Sequence, residues 1–249
     1  MVAELANWYL ANKAERDNPP AGRFIEIDGF RLHYIERGQG EPLILLHGNG
    51  SMIEDFASSG LIDKASQGYR VIAFDRPGFG RSGRPRSKIW TPQAQADLIH
   101  EALLRLGVSG AVVLGHSWGT QVAIALAQKY PQDVGGLVLA SGYCYPSLRA
   151  DVLALSAPAI PVLGDVMRFT ISPLIARAVW PLLMRKIFGP ASVPSKFKRG
   201  FPKAMAVRPS QLRASAEETA LMIPAHLLSV GNIRSCRCPS SSSPAKTTV

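Results

Sequence analysis

A chain of 249 residues that is 47% hydrophobic can bury a full-sized core, which excludes a wholly disordered protein and fits one large domain with an inserted lid. Its formal net charge of +10 raises nucleic acid as a partner, but no run of five like charges and no RNA-binding aromatic motif accompanies it, so no nucleic-acid partner is expected. No stretch reaches the roughly 18 uncharged apolar residues of a membrane span, and the N-terminus lacks the basic start and apolar run of a secretory signal, so the expected location is cytoplasmic.

In chain order, segments 23–27 and 31–36 flank Asp28-Gly29, the strongest short hairpin signal, and predict an opening antiparallel pair. Brief apolar runs follow at 42–46, 70–74, 111–114 and 136–140, each apolar enough to be buried on both faces of a parallel sheet. Helical patterns separate them. In 91–106, Thr91 is placed to cap, Pro92 takes the first helical position, Leu98, Ala102 and Leu106 share a stripe, and Gly107 ends the helix. This alternation predicts a doubly wound α/β architecture with ligands at the carboxyl ends of the strands. After Ser141 the pattern turns proline-rich and helical, with apolar stretches such as 175–187, as expected of an inserted helical cap. The basic residues gather after Arg76 and between Arg168 and Arg213, which reads first as a solvated face and second as a surface close to anions or anionic lipid. Cys144, Cys236 and Cys238 supply neither a disulfide framework nor four metal ligands and read as incidental.

Chemistry concentrates in three motifs. Gly115-His116-Ser117-Trp118-Gly119 follows an apolar strand and precedes the helical run 120–129, the context a G-x-S-x-G nucleophile elbow requires. Small residues are needed at Gly115 and Gly119 because the serine sits on a sharp turn where a β-carbon would crowd the neighbouring strand and helix. His47-Gly48-Asn49-Gly50 follows the run 42–46 and suits an oxyanion loop, whose donors are assigned to the backbone amides of Asn49 and Trp118. The side chain of His47 is expected to be a structural hydrogen-bonder. The third motif, Asp75-Arg76-Pro77-Gly78-Phe79-Gly80-Arg81-Ser82, follows the run 70–74.

With these three motifs in this order, the chain resembles the α/β-hydrolase superfamily over about residues 24–228. The resemblance implies that fold, a serine nucleophile at Ser117, oxyanion donors at Asn49 and Trp118, and a structural role for the turn starting at Asp75. It also implies an acid after a seventh strand and a histidine after an eighth, and neither strand is expected in this chain. His33, His47, His100, His116 and His226 fall on a hairpin, the oxyanion loop, a helix flank, the elbow and the cap, so no triad acid or histidine is identified. A serine argues against haloalkane dehalogenase and epoxide hydrolase chemistry, where the family normally has aspartate.

The serine-rich stretch after Ile233 breaks the apolar pattern. Back-translated and read one base earlier, it can yield an apolar strand and an acidic turn, so a frameshift that removes the last two strands is expected, decidable by sequencing the coding DNA. The run 136–140 then becomes an apolar sheet edge. The organisation expected is an α/β-hydrolase core at 1–142, a helical cap at 143–230 and a disordered tail at 231–249. The expected function is serine hydrolysis of a small apolar ester or acyl substrate through a Ser117 acyl-enzyme, weak or absent for want of a base. The acyl-enzyme route implies neither metal nor organic cofactor. The alternative is a non-catalytic binding module or gene remnant.

Overall fold

The computed structural model describes residues 2–142, 160 and 163–233. Six strands, β1 (Arg23–Ile27), β2 (Phe30–Arg37), β3 (Glu41–Leu46), β4 (Tyr69–Phe74), β5 (Ala111–His116) and β6 (Val134–Ala140), form one sheet in the order β1-β2-β4-β3-β5-β6. The β1–β2 and β2–β4 pairs are antiparallel, and β3–β4, β3–β5 and β5–β6 are parallel. The opening turn needs left-handed backbone at both central residues, and Asp28 (φ 50°) and Gly29 (φ 75°) supply it.

The central strands alternate their side chains between two buried faces. Ile44, Leu46, Ile72 and Phe74 join α4 (Pro92–Arg105) and α5 (Gly119–Lys129) in one cluster, while Leu43, Leu45, Val71 and Ala73 join α2 (Ile53–Ser59) and α3 (Leu61–Ala65) in another. Burial on both faces explains why these strands read as unbroken apolar runs. Helix α4 starts where its sequence says it should: Thr91 Oγ1 accepts from the Ala94 amide at 3.1 Å, with Pro92 in the first turn.

A helical layer follows β6, with α6 (Leu163–Phe169), α7 (Ser172–Phe188), α8 (Ser195–Gly200), α9 (Lys203–Ala206) and α10 (Pro209–Ile233). Helix α10 continues through Ile233, three residues into the stretch read as a tail, while residues 234–249 and Cys144, Cys236 and Cys238 lie outside the described residues. The boundary between core and cap is also less sharp than the sequence suggested. Leu221 and Met222 of α10 pack on the sheet cluster, and Ala14 of α1 (Val2–Asp17), a helix the sequence analysis did not assign, packs with Phe201 and Met205 of the helical layer.

At the far edge of the described sheet, β6 leaves Leu137, Val138 and Leu139 between 36% and 45% exposed. Among the described residues, no helix is long and apolar enough to cross a membrane.

Candidate active site

Strand β5 runs to His116 and α5 begins at Gly119, so the turn between them is reduced to Ser117 and Trp118. Ser117 has φ 53°, a left-handed conformation that costs a side-chain-bearing residue about 1–3 kcal/mol. Its backbone holds it there. The Ser117 amide donates to the Ala140 carbonyl at 2.9 Å, and the Ser117 carbonyl accepts from the Thr120 amide at 3.1 Å and the Thr120 hydroxyl at 2.6 Å. The flanking glycines permit the close approach: a β-carbon at Gly115 would lie 2.5 Å from the Gly119 carbonyl oxygen, and one at Gly119 would lie 2.1 Å from that of Leu46.

The loop after β3 meets this turn. A β-carbon on Gly48 would stand 3.0 Å from the Ser117 β-carbon and 3.4 Å from His116 Nδ1. Gly48 and Ser117 are therefore brought together, with His116 beside them. The backbone amides of Asn49 and Trp118 have no hydrogen-bond acceptor among the described residues, although their neighbours Ser51, Ser117 and Thr120 all donate. The Trp118 side chain is wholly buried in the sheet cluster, and its indole N–H has no partner among the described residues.

His47 is fully buried and held at both nitrogens. Nδ1 lies 2.8 Å from the Gly48 carbonyl and must donate, while Nε2 accepts from the Arg76 amide at 3.0 Å. Burial, reinforced by the Arg76 charge, holds its pKa well below the usual histidine value, so the ring is neutral. Asp75 is equally committed. Its carboxylate accepts from the amides of Ile53 and Arg81 at 2.9 Å each and pairs with His33 Nδ1 at 2.7 Å, while a β-carbon at Gly80 would strike it at 2.0 Å.

Helix α10 adds residues that the sequence analysis missed. Glu218 receives the Arg76 guanidinium on both oxygens, with Arg76 Nη2 to Glu218 Oε2 at 3.0 Å and the second contact from Nη1 to Oε1. Gln95 joins this buried group through its amide nitrogen, 3.0 Å from Glu218 Oε1. Asn49 Nδ2 donates to the Ser215 carbonyl and the Thr219 hydroxyl, both at 3.1 Å, and Gln211 accepts from the Gly80 amide at 3.1 Å. The signal was present as a polar stripe: Gln211, Ser215, Glu218 and Thr219 recur at helical spacing.

Among the described residues no base is hydrogen-bonded to Ser117. The Ser117 hydroxyl has no hydrogen-bond partner among the described residues. His33 is occupied by Asp75, His47 by its two backbone bonds, and His100 by Asp133 and by stacking on Tyr130 at 3.7 Å. The side chain of His226 lies outside what the structure describes. Among the described residues no group of acidic, histidine and cysteine side chains could hold a metal ion.

Comparison with known proteins fits this geometry. Residues 41–169 match the family described as alpha/beta hydrolase fold. Lipase 1 of Psychrobacter immobilis is 38% identical over 114 residues, 45% of this chain and 35% of the lipase. The 2-hydroxymuconate semialdehyde hydrolase of Pseudomonas putida is 33% identical over 126 residues, 51% of this chain and 45% of that enzyme. Haloalkane dehalogenase 2 of Mycobacterium bovis is 31% identical over 139 residues, 56% of this chain and 47% of the dehalogenase. The chain thus spans less than half the length of each of these relatives. A thermophilic esterase from Thermogutta terrifontis is similar in fold, with a TM-score of 0.64 at 22% identity, covering 83% of this chain and 75% of the esterase. From the match over residues 41–169, together with the parallel sheet and its strand-to-helix turn, the chain belongs to the alpha/beta hydrolase family.

Proposed function

We propose that the chain is a serine hydrolase of ester-like or other acyl substrates, with Ser117 as nucleophile and low turnover. The observation that carries this reading is the strained Ser117 turn with Gly48 held against it, next to which in sequence stand two backbone amides, those of Asn49 and Trp118, that have no acceptor among the described residues. In acyl transfer the Ser117 oxygen adds to the substrate carbonyl, the hydroxyl proton passes to solvent water, and the oxygen of the tetrahedral intermediate takes up negative charge. Two preorganised amides offset that charge, and losing one such donor in subtilisin costs about 10²–10³ in turnover. His47 orients the loop without exchanging protons, because both its nitrogens are engaged.

No described side chain accepts a hydrogen bond from the Ser117 hydroxyl. In subtilisin, removal of the catalytic histidine costs about 10⁶ in turnover and leaves about 10³–10⁴ over water. Turnover of the latter order is expected here. The lipase and the esterase among the similar proteins favour ester substrates, and Ser117 in place of aspartate disfavours dehalogenase or epoxide hydrolase chemistry. A second reading, a non-catalytic binding module, is favoured by the same unpartnered hydroxyl. A fluorophosphonate probe separates the two: covalent labelling that Ser117→Ala abolishes supports the hydrolase, and an unlabelled, folded protein supports the binding module. Hydrolysis of p-nitrophenyl esters of increasing chain length then ranks the acyl group.

A further inference from the structure

The helical layer carries a charge imbalance that chemistry at Ser117 does not use. Between Asp165 and Glu217 the sequence has ten Lys and Arg and neither Asp nor Glu. The whole chain has 28 basic and 18 acidic residues, so outside this segment the signs balance at 18 each, and the entire excess of +10 sits here.

Helix α7 is amphipathic in the inverted sense for a covering helix. Pro173 and Met184 are buried, while Leu174, Ile175, Val179 and Leu182 follow helical spacing on the opposite side at 42–65% exposure. The same outward face ends in exposed Arg185 and Lys186. Helix α8 then presents Lys196, Lys198 and Arg199 to solvent, and none of these five cations has an ion-pair partner among the described residues. The two helices share a groove of about 510 Å³ floored by Trp180 and Phe197 and edged by Arg185 and Lys198.

We infer that α7 and α8 dock on the surface of an anionic lipid bilayer. The α7 stripe enters the boundary between headgroups and acyl chains, and the cations meet lipid phosphates. A second copy of the chain fits poorly, because stripe against stripe sets two uncompensated cationic segments face to face. The inference stands whether or not Ser117 reacts.

Cosedimentation of the full chain with phosphatidylcholine vesicles, with and without phosphatidylglycerol, tests it. Binding is expected to the mixed vesicles, to weaken as salt is raised, and to be slight on phosphatidylcholine alone. Lys196→Glu, Lys198→Glu and Arg199→Glu together should weaken it at least about 100-fold, since each cation near such a surface contributes about fivefold. Leu182→Ser should weaken it roughly tenfold. All four side chains are exposed, so melting temperatures should match the parent. The inference is overturned by absence of binding to the mixed vesicles, by equal binding to both compositions, or by a charge-reversed variant that binds like the parent. It is equally overturned by a lipid-free dimer that Leu182→Ser dissolves in a protein that does not bind vesicles.

Discussion

Arg76, just after β4, and Glu218, in the middle of α10, form a fully buried two-point ion pair across 142 residues of sequence. The guanidinium also donates through Nε to the His47 carbonyl at 2.7 Å, so one side chain ties the turn after β4, the loop after β3 and the helical layer together.

Breaking this pair from one side leaves a buried charge unmatched. Glu218→Ala is expected to cost about 3–5 kcal/mol, read as a drop in the urea midpoint. The double variant Arg76→Met, Glu218→Leu should recover much of that loss. A double variant as unstable as the single would mean that the pair contributes through more than mutual compensation.

His47 sets an acid limit on stability. The folded ring resists protonation, whereas the unfolded one titrates at the usual 6.5, so the unfolded state binds the extra proton below that pH. The stability this histidine contributes is present above pH 6.5 and is lost as pH falls below it, with a slope of up to about 1.4 kcal/mol per pH unit. Denaturation series across that range should show this slope in the parent and its absence in His47→Gln.

Strain at Ser117 is separable from chemistry. A glycine adopts φ 53° freely, so Ser117→Gly should raise stability by about 1 kcal/mol after the entropic cost of glycine, while removing any covalent labelling. A thermal melt no higher than that of the parent would show that the turn stores no strain. By contrast, Gly119→Ala drives a β-carbon into the Leu46 carbonyl and should prevent folding. Gly107→Ala, at φ 63° but in open space, should cost only about 1 kcal/mol.

The exposed apolar edge at β6 predicts self-association of the concentrated protein. Placing a charge there, as Val138→Lys, should slow aggregation measured by light scattering and leave the melting temperature near that of the parent.

The centre of the sheet was legible because β3 and β4 are buried on both faces: the runs at 42–46 and 70–74 need nothing beyond their own apolarity to be read. The elbow was legible for a related reason, since Gly115 and Gly119 are demanded by contacts within a few ångströms. Its strand was read two residues short, because a glycine and a histidine carry little strand preference. Helix α1 escaped because it turns Leu5, Trp8 and Tyr9 outward and is held by Asn7, whose amide donates to the carbonyls of Phe169 and Thr170 at 3.0 and 2.8 Å. Glu218 escaped because its meaning depends on a partner far away in sequence. A charged residue in a helix reads as solvated until the structure places an arginine against it.

Helix α10 grips the Asn49 side chain, the Gly50–Ser51 backbone and the Gly80 amide with successive turns of one polar face. The loops beside the Ser117 turn are thus fastened to the helical layer as well as to the sheet. On the proposed chemistry, a tilt of that helix would carry the Asn49 amide with it, so ligand entry and oxyanion binding would share one mechanical element.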